Sequence, residues 1–379
     1  MDYRLPVYEA LDRLCFGQLS VVYYSEVVPR HCQDRLKEIL GDRAIGLSGE
    51  IRLSGKKYRP LSQLSGNGLR IPLQPGLVKV LRSTRPELIL ADGFFQWTYA
   101  ALWVRLFHGT PLVMCYEGTP HTERNAGFLR TWYRRLASKA MDRIVCNGSL
   151  SREYIEQLGF PKEKIGLGNM AADIKRFEAK ALELSQTTKE ALRQRLGAQG
   201  KILLFVGRLV PLKGLDKLLE GWKEVFGEQP GTTLLIVGEG PQEKELQAYC
   251  RANRLDNVRF AGAVDHREIP AYFALADVFI IPTLQDNWSL VVPEAMASKL
   301  PVACSLYNGC WPELIYGDNG WVFDPLDREN LAQTLKQIMA DADRWEAMGR
   351  ASLDLVRAHS PKKIAEGLYE TCRSLKAQN

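Results

Sequence analysis

A basic loop bounded by glycines, in the second half of the chain, has the residue types of an anion-binding site. It reads Gly207-Arg208-Leu209-Val210-Pro211-Leu212-Lys213-Gly214 and follows an apolar run that predicts a strand. Glycine lets the backbone come close to a ligand, and the two cations can reach a diphosphate from separate points. Arg208 and Lys213 are also residues that an ordinary solvated surface carries, so the loop alone leaves both interpretations open.

Two acids eight residues apart, Asp286 and Glu294, form a second polar group in D-N-W-S-L-V-V-P-E. Ser289 is a good helix cap, and Pro293 is tolerated only near a helix start. The free backbone N–H groups of residues 290–292 would then point at an anion. We expect Glu294 to accept hydrogen bonds from a diol such as a ribose, and Asp286 to hold sugar hydroxyls. The alternative is that both acids only stabilise the helix dipole.

The elements that position these residues are predicted by apolar runs that alternate with helical periodicity. Apolar strands separated by helices indicate a parallel sheet covered on both faces, with ligands at the carboxyl ends of its strands. Both the basic loop and the acid pair follow such strands, which the helix-dipole interpretation does not explain. The predicted strands are 201–207, 233–238, 258–260, 278–282, 300–305 and 320–323, and the helices are 214–226, 241–252, 269–276 and 293–298.

The first half of the chain shows a similar but less regular alternation. We therefore predict an α/β fold of two Rossmann-like domains with a cleft between them. Its strands are predicted at 19–24, 87–91, 111–116 and 143–147, and its helices at 8–14, 77–83, 95–107, 128–140 and 151–159. Residues 46–75, rich in Gly, Ser and Pro, predict a loop with one hairpin.

The domain boundary is placed near 165–195, where strand signals stop and a polar helix over 187–196 intervenes. Residues 1–170 are the predicted acceptor-binding domain and 171–355 the predicted donor-binding domain. Residues 356–379 predict a C-terminal helix that packs back toward the first domain.

The composition limits the classes of protein to which this chain can belong. The chain has 379 residues, enough for two domains, and its 46% hydrophobic and 25% charged content is typical of a globular protein. It contains no apolar run long enough to span a membrane and no apolar signal-peptide core at its start. The eight cysteines are scattered without a C-x-x-C pair, which favours reduced thiols in the cytoplasm, and the five histidines lack metal-ligand spacing.

The excess of basic residues lies wholly in the first half. Residues 1–165 hold 24 Lys and Arg against 16 Asp and Glu, a net charge of +8, whereas the whole chain carries +6. A basic half suits an anionic membrane surface, a phosphate-bearing acceptor or nucleic acid. A merely solvated surface is the alternative. Nucleic acid is the partner that fits worst, because the basic residues alternate with acidic ones along the chain and form no continuous stripe.

At these residues the chain resembles the GT-B-fold retaining glycosyltransferases, specifically the large family 4, also called glycosyl transferases group 1. The resemblance covers about residues 201–345. It rests on a strand, then G-R-L-x-x-x-K-G, then a V-G-x-G strand end, then two acids eight apart before E-A-M-A. Each feature is weak alone, and the combination is highly specific. The segment 169–177 (N-M-A-A-D-I-K-R-F) also resembles the family's N-G-V-D-x-x-x-F entry into the second domain.

The resemblance implies roles for the site residues. Arg208 and Lys213 resemble the family's diphosphate-binding pair. Glu294 resembles the acid that binds the nucleoside ribose, and Asp286 takes the place of the acid that contacts the transferred sugar. Backbone amides of residues 289–291 match those that meet the phosphates. The implied donor-binding residues are Gly207, Arg208, Lys213, Ser289, Leu290, Val291 and Glu294, and the implied catalytic residues are Arg208, Lys213, Asp286 and His121.

In the first half, Tyr116-Glu117-Gly118-Thr119-Pro120-His121 follows a predicted strand. Family members often carry a histidine near this position, close to the sugar and the acceptor, which is why His121 is included as catalytic. A histidine satisfied within its own loop is the alternative. We expect Glu117 and Thr119 to line the acceptor side together with His121, and Glu123 and Arg124 to lie near them.

Two departures from the family pattern stand out. The first acid is Asp286 where Glu is commoner, which shortens its reach by one methylene. Related chains also open with a strand and a small-residue loop ahead of a P-Y-R-x-P helix, whereas this one begins Met1-Asp2-Tyr3-Arg4-Leu5-Pro6. We therefore expect the N-terminal sheet to lack its usual first strand, through an internal start or a loss. Loss would expose neighbouring strand edges.

The resemblance implies a retaining glycosyltransferase that uses a nucleotide-diphosphate sugar as co-substrate and a glycan or glycolipid acceptor, in polysaccharide or glycolipid assembly. No metal or other cofactor is expected, because cations and helix amides supply the positive charge and no D-x-D motif is evident. The expected location is cytoplasmic, peripheral at the inner face of the membrane. The alternatives are a catalytically degenerate nucleotide-sugar-binding scaffold and a GT-B-fold epimerase, which would need further acid and base residues.

Overall fold

Short strands and helices alternate along the chain and are divided between two units. A computed structural model describes residues 4–52, 72–94, 97–168, 170–227 and 231–376. The first unit is Met1–Ala171 together with Pro361–Asn379, and the second is Ala172–Ser360. Part of the predicted 46–75 loop, the start of the predicted 95–107 helix, and Asn169 lie outside the described residues.

The described strands and helices have the following bounds. The strands are β1 (Val21–Tyr24), β2 (Ala44–Leu47), β3 (Ile51–Arg52), β4 (Pro72–Leu73), β5 (Ile89–Asp92), β6 (Leu112–Tyr116), β7 (Arg143–Cys146), β8 (Ile165–Leu167), β9 (Lys201–Val206), β10 (Thr232–Val237), β11 (Val258–Gly262), β12 (Val278–Ile281), β13 (Val302–Ser305) and β14 (Gly320–Phe323). The helices are α1 (Leu5–Leu14), α2 (Arg30–Leu40), α3 (Leu77–Ser83), α4 (Thr98–His108), α5 (Phe128–Ser138), α6 (Ser149–Gln157), α7 (Ile174–Glu183), α8 (Gln186–Leu196), α9 (Leu215–Phe226), α10 (Glu243–Ala252), α11 (Ile269–Leu275), α12 (Val291–Ala297), α13 (Trp311–Leu314), α14 (Arg328–Ala340), α15 (Trp345–Arg357) and α16 (Pro361–Lys376).

The parallel strands of the first unit form two separate sheets. Strands β5, β6, β7 and β8 pair in that order, while β1 pairs only with β2 among the described strands. Strands β3 and β4 make a short antiparallel hairpin. Helices α4 and α5 connect neighbouring parallel strands of the four-stranded sheet. Because such crossovers are right-handed, both helices lie on the same face of that sheet.

Several elements differ from the sequence prediction. Strand β2 and helices α2, α13, α14 and α15 are additional, and strand β8 and helix α7 lie where the prediction ends the strands and places a boundary. Helix α2 buries only Cys32, Leu36 and Leu40, so its apolar stripe is one residue wide and its sequence is mostly polar. Strands β2 and β8 each contain a glycine and are too short to show a two-residue period.

The last helix belongs to the core of the first unit. Helix α16 packs against α1, and Ile364 and Leu368 share a buried apolar cluster with Val7 and Leu11. Burying apolar stripes of two amphipathic helices against each other is the main source of stability for both. None of the described helices combines the length and apolarity needed to cross a bilayer.

The second unit is built on one parallel sheet of six strands, in the order β11-β10-β9-β12-β13-β14. Its central strands are buried along nearly their whole length, as their continuous apolar sequences predict. From β9 the chain adds β10 and β11 on one side and then crosses to β12 on the other. The strand order therefore reverses between β9 and β12, and such a switch point opens a crevice at the carboxyl ends of the two strands.

Candidate functional site

The switch point of the second unit brings together the two polar segments singled out in the sequence. The basic loop leaves the end of β9, and the acid-containing segment leaves the end of β12. These two strands are hydrogen-bonded neighbours, so their carboxyl ends lie side by side. The predicted donor residues are therefore gathered at the edge of the sheet where α/β proteins bind ligands.

Glycine at position 214 lets the basic loop approach the β12 segment. Residues Pro211–Lys213 form one turn of 3-10 helix, which ends at Gly214 in the left-handed region with φ 66°. A Cβ atom at this glycine would lie 2.2 Å from the carbonyl oxygen of Pro282. Only glycine fits both the backbone angle and the space, and this close contact carries Lys213 toward the opposite loop.

Lys213 and Asp286 form an ion pair across the switch point. The Lys213 Nζ atom lies 2.5 Å from Asp286 Oδ2, and both side chains are about four-fifths buried, with exposures of 22% and 18%. Asp286 also accepts hydrogen bonds from the Ser289 hydroxyl at 2.5 Å and from the Trp288 N–H at 3.2 Å. The pair places a cation for phosphate and a carboxylate for hydroxyls within one hydrogen bond of each other.

The prediction that Ser289 caps the following helix is wrong. Helix α12 begins at Val291 with Leu290 as its N-cap residue, and no side chain caps it. The helix begins one residue too late for Ser289 to be its N-cap residue, and the Ser289 hydroxyl donates to Asp286. Ser289 thereby fixes the carboxylate that faces Lys213.

The prediction that the N–H groups of residues 290–292 all face an anion is wrong for Val292. The Val292 N–H donates to the carbonyl of Ser289 at 3.1 Å. Within the described part of the chain, the N–H groups of Leu290 and Val291 have no acceptor. Two adjacent donors thus remain for a ligand, next to the residue that binds Asp286.

The loop after β13, which sequence reasoning did not identify, holds the Asp286 backbone. The Asp286 N–H donates to the carbonyl of Tyr307, and the Gly309 N–H donates to the carbonyl of Asp286. The fully buried Asn308 accepts from the Ser289 N–H at 3.4 Å. These contacts join residues far apart in sequence, and the sequence carries no periodic signal for them.

Glu294 lies in the first turn of α12 and is half-buried. Burial raises the pKa of its carboxyl to about 8, the Arg176 charge opposes this shift, and the Asp173 charge adds to it. Both charges come from the start of α7, which packs against α12. Arg176 and Asp173 are site neighbours that the sequence analysis did not single out, although they lie in the 169–177 segment.

Of the remaining predicted donor residues, Gly207 directly follows β9 and Arg208 is exposed beside it. The structure therefore brings Lys213, Asp286 and Ser289 into direct contact and keeps Arg208 in the same loop. Helix α12 carries Leu290 and Val291 at its start, with Glu294 one turn further on.

The predicted acceptor residues lie after β6 in the first unit. Glu117 is paired with Arg4, whose Nη2 atom lies 2.9 Å from Glu117 Oε1 and 3.0 Å from Asp92 Oδ1. Thr119 is buried, and its hydroxyl accepts from the Thr122 N–H within a local turn. His121 is half-exposed in the same turn.

A buried ion pair ties this loop to helix α5. Arg134 is 2% exposed and contacts both Glu123 oxygens at 2.8 Å, in a bidentate arrangement. Arg134 also donates to the Tyr154 hydroxyl at 2.5 Å. Glu123, expected near the acceptor side, is thus engaged by a structural partner, and breaking such a pair leaves an unpaired buried charge.

Two family models match the chain, each in a different half. The model described as Glycosyltransferase Family 4 matches residues 29–167. The model described as Glycosyl transferases group 1 matches residues 188–353. The second range contains the basic loop and both acids, and the first contains the loop after β6.

Solved structures of similar fold cover nearly the whole chain. Anabaena Alr3699/HepE in complex with UDP and glucose aligns with a TM-score of 0.71 at 18% identity, over 98% of this chain and 96% of that one. A glycosyltransferase from Rickettsia africae aligns with a TM-score of 0.72 at 14% identity, over 98% of this chain and 94% of that one. These likenesses confirm the predicted α/β fold with two Rossmann-like domains.

Curated relatives are more similar in sequence over shorter stretches. Mannosylfructose-phosphate synthase of Agrobacterium fabrum is 30% identical over 190 residues, 48% of this chain and 41% of that protein. Glycogen synthase of Mycobacterium tuberculosis is 28% identical over 280 residues, which are 72% of this chain and 64% of that protein. The chain thus spans 41% to 64% of the length of these two relatives. The two family models match in consecutive order, so the first half of the chain is similar to Glycosyltransferase Family 4 and the second half to Glycosyl transferases group 1.

Proposed function

We propose that this protein is a retaining glycosyltransferase, which moves a sugar from a nucleotide-diphosphate sugar to a hydroxyl of a glycan or glycolipid acceptor. The observation that carries the proposal is the ion pair between Lys213 and Asp286 at the switch point. It joins a phosphate-binding cation to a hydroxyl-binding carboxylate on neighbouring strands of one sheet. The structures of Anabaena Alr3699/HepE with UDP and glucose, and with UDP-glucose, support this class of donor.

Binding of the donor replaces the ion pair between Lys213 and Asp286 with contacts from each residue to the ligand. The diphosphate takes Lys213 away from Asp286, with Arg208 reaching it from the same loop. The released Asp286 carboxylate then accepts hydrogen bonds from hydroxyls of the sugar. The N–H groups at the start of α12 donate to phosphate oxygens. Glu294 accepts from the ribose, and when ionised it can accept from both hydroxyls.

The chemical step breaks the bond between the sugar C1 atom and the diphosphate oxygen. The acceptor oxygen forms its bond to C1 on the same face, and its proton passes to the departing phosphate oxygen. Arg208 and Lys213 stabilise the negative charge that develops on the diphosphate, where fixed charges act most strongly. Because the protein supplies these cations, the reaction needs no metal, and EDTA is expected to leave the rate unchanged.

The first unit binds the acceptor in this proposal, with Glu117, Thr119 and His121 on the acceptor side. His121 contacts the reacting sugar or acceptor hydroxyl. The excess of base in this half suits an acceptor carried at an anionic membrane surface, with the enzyme peripheral to the cytoplasmic face. His121→Ala is expected to lower kcat while donor affinity stays within about twofold.

The test is a thermal-shift screen of the purified protein against UDP, GDP, ADP and their sugars. One nucleotide is expected to raise the unfolding temperature, since ligands that bind only the folded state stabilise it. Lys213→Ala should reduce that shift, and Lys336→Ala, an exposed lysine on α14, should not. If no nucleotide shifts a well-folded sample, the donor site is assigned wrongly.

A catalytically degenerate scaffold is the second candidate. Asp286, which is shorter than the commoner Glu, and the division of the first unit's parallel strands into two sheets favour it. Hydrolysis of the preferred nucleotide sugar in the absence of acceptor separates the two functions. Release of free sugar that disappears in Lys213→Ala supports the transferase, whereas tight binding without turnover supports the scaffold.

A further inference from the structure

We propose that the exposed faces of α4 and α5 form a surface that docks the protein on an anionic lipid bilayer. We define the docking face by its exposed apolar side chains, which are Leu106, Phe107, Phe128, Leu129, Trp132 and Leu136. This inference rests on the proposed function only for its purpose, which is to bring the enzyme to a lipid-linked acceptor. The docking itself is tested with lipid alone.

Helix α5 is amphipathic, but its apolar side faces solvent and its other side is buried, which is the reverse of the usual orientation. Phe128, Leu129, Trp132 and Leu136 are 80%, 70%, 55% and 53% exposed, while Arg134 on the opposite side is 2% exposed. A helix on the surface of a soluble domain normally turns its apolar stripe inward and its charges outward. Here the inward charge is neutralised by Glu123, so the helix is held with its apolar side toward solvent.

The four apolar residues of α5 lie on one stripe. At 100° per residue, positions 128, 129, 132 and 136 fall within an arc of about 100°. Helix α4 lies on the same sheet face, and Leu106 and Phe107 in its last turn are each 69% exposed. Both helices run antiparallel to the strands, so their C-terminal ends lie at the same edge of the sheet. The docking face thus draws its apolar residues from two helices on the same face of the sheet.

The charge around the docking face favours anionic lipid. Besides the buried Arg134, residues 124–141 contain four Lys and Arg and no Asp or Glu, and residues 98–108 also contain no acid. Arg135 and Lys139 are exposed and border the apolar stripe of α5. Trp and Phe with a basic border are typical of helices that lie in the interface of a membrane. A second copy meeting the same face through a two-fold axis would bring like charges together.

The position of the docking face also suits the proposed chemistry. Helix α5 begins seven residues after His121, and the Arg134–Glu123 pair fastens the helix to the loop that carries this histidine. A bilayer in contact with Phe128 therefore lies next to the proposed acceptor loop. A lipid-linked acceptor would reach that loop from the same membrane.

The experiment is co-sedimentation of the full-length protein with vesicles of phosphatidylcholine alone or with added phosphatidylglycerol. The protein is expected to bind the anionic vesicles and to dissociate as salt is raised from 50 to about 500 mM. The double variant Phe128→Ser/Trp132→Ser should lose at least about tenfold in vesicle affinity. Arg135→Glu/Lys139→Glu should lose a similar factor on anionic vesicles only. The matched control is Leu326→Ser, an exposed leucine of the second unit at 56%.

Nucleotide thermal shifts on the same variants separate this inference from the proposed function. The docking variants should keep the wild-type shift, because they lie in the other unit from the donor site. Equal vesicle affinity of wild type and Phe128→Ser/Trp132→Ser overturns the docking face. A dimer that these substitutions dissociate, without any lipid binding, also overturns it and assigns the face to a second copy. Vesicle binding by a protein whose unfolding temperature no nucleotide shifts would support the docking face and contradict the assignment of the donor site.

Discussion

At the scale of single residues, Glu294 links protonation to both stability and ligand binding. Its ordinary pKa of 4.5 is raised to about 8 in the folded protein, because burial disfavours the charged form. Between these values the folded state keeps a proton that the unfolded chain has lost. The free energy of unfolding of the ligand-free protein should therefore fall as pH rises from 5 to 8, by up to about 1.4 kcal/mol per pH unit from this group. Glu294→Gln removes this titration. The free energy of unfolding of the variant, measured in urea, should therefore rise relative to that of wild type over the same pH range.

The control for this prediction is Glu245→Gln, which alters an exposed carboxylate on α10. Its stability should follow the wild-type pH dependence. Above about pH 8, where the wild-type carboxyl is ionised, Glu294→Gln should also weaken nucleotide binding by about tenfold, because the ribose loses a charged acceptor. Parallel stability curves for Glu294→Gln and wild type would show that the carboxyl is ionised in the folded protein.

At the scale of elements, the contact between the loops after β9 and β12 depends on Gly214. Alanine at this position combines a left-handed φ of 66° with a Cβ atom 2.2 Å from the Pro282 carbonyl oxygen. The loops must move apart, which separates Lys213 from Asp286. We expect Gly214→Ala to lose about 2–4 kcal/mol of stability and at least about tenfold in nucleotide affinity, measured by urea unfolding and titration calorimetry.

Gly262 offers a matched control in the same sheet. Its φ of 71° is nearly the same, but a Cβ atom there would meet nothing within 4 Å. Gly262→Ala should therefore lose only about 1 kcal/mol and keep its nucleotide affinity. Equal losses in the two variants would mean that backbone conformation, and not the approach of the two loops, explains the effect.

The same elements mark the limit of prediction from sequence. Strands β9 and β12 are predictable because their apolar runs are continuous, and the ligand edge follows from parallel topology. The pairing of Ser289 with Asp286 is not predictable, because it depends on the residue at which α12 begins and on where the fold places the two side chains. The charges of Asp173 and Arg176 near Glu294 depend on how α7 packs against α12, which no local pattern encodes.

At the scale of the whole molecule, each unit has its own core and should unfold as its own cooperative step. Leu368 on α16 is 5% exposed in the core shared with α1, and Leu335 on α14 is fully buried in the core of the second unit. Leu368→Ala and Leu335→Ala remove the same atoms and should each cost about 2–5 kcal/mol, in different units.

Calorimetry with and without the stabilising nucleotide assigns the two steps. The nucleotide should raise only the transition of the second unit, because ligand binding stabilises the structure that forms its site. Leu335→Ala should lower that transition, whereas Leu368→Ala should lower the other one and leave the nucleotide shift unchanged. A single transition that both substitutions lower equally would show that the units unfold together. Burial of α16 in the first unit would then stabilise the donor site as well, although the two lie in separate cores.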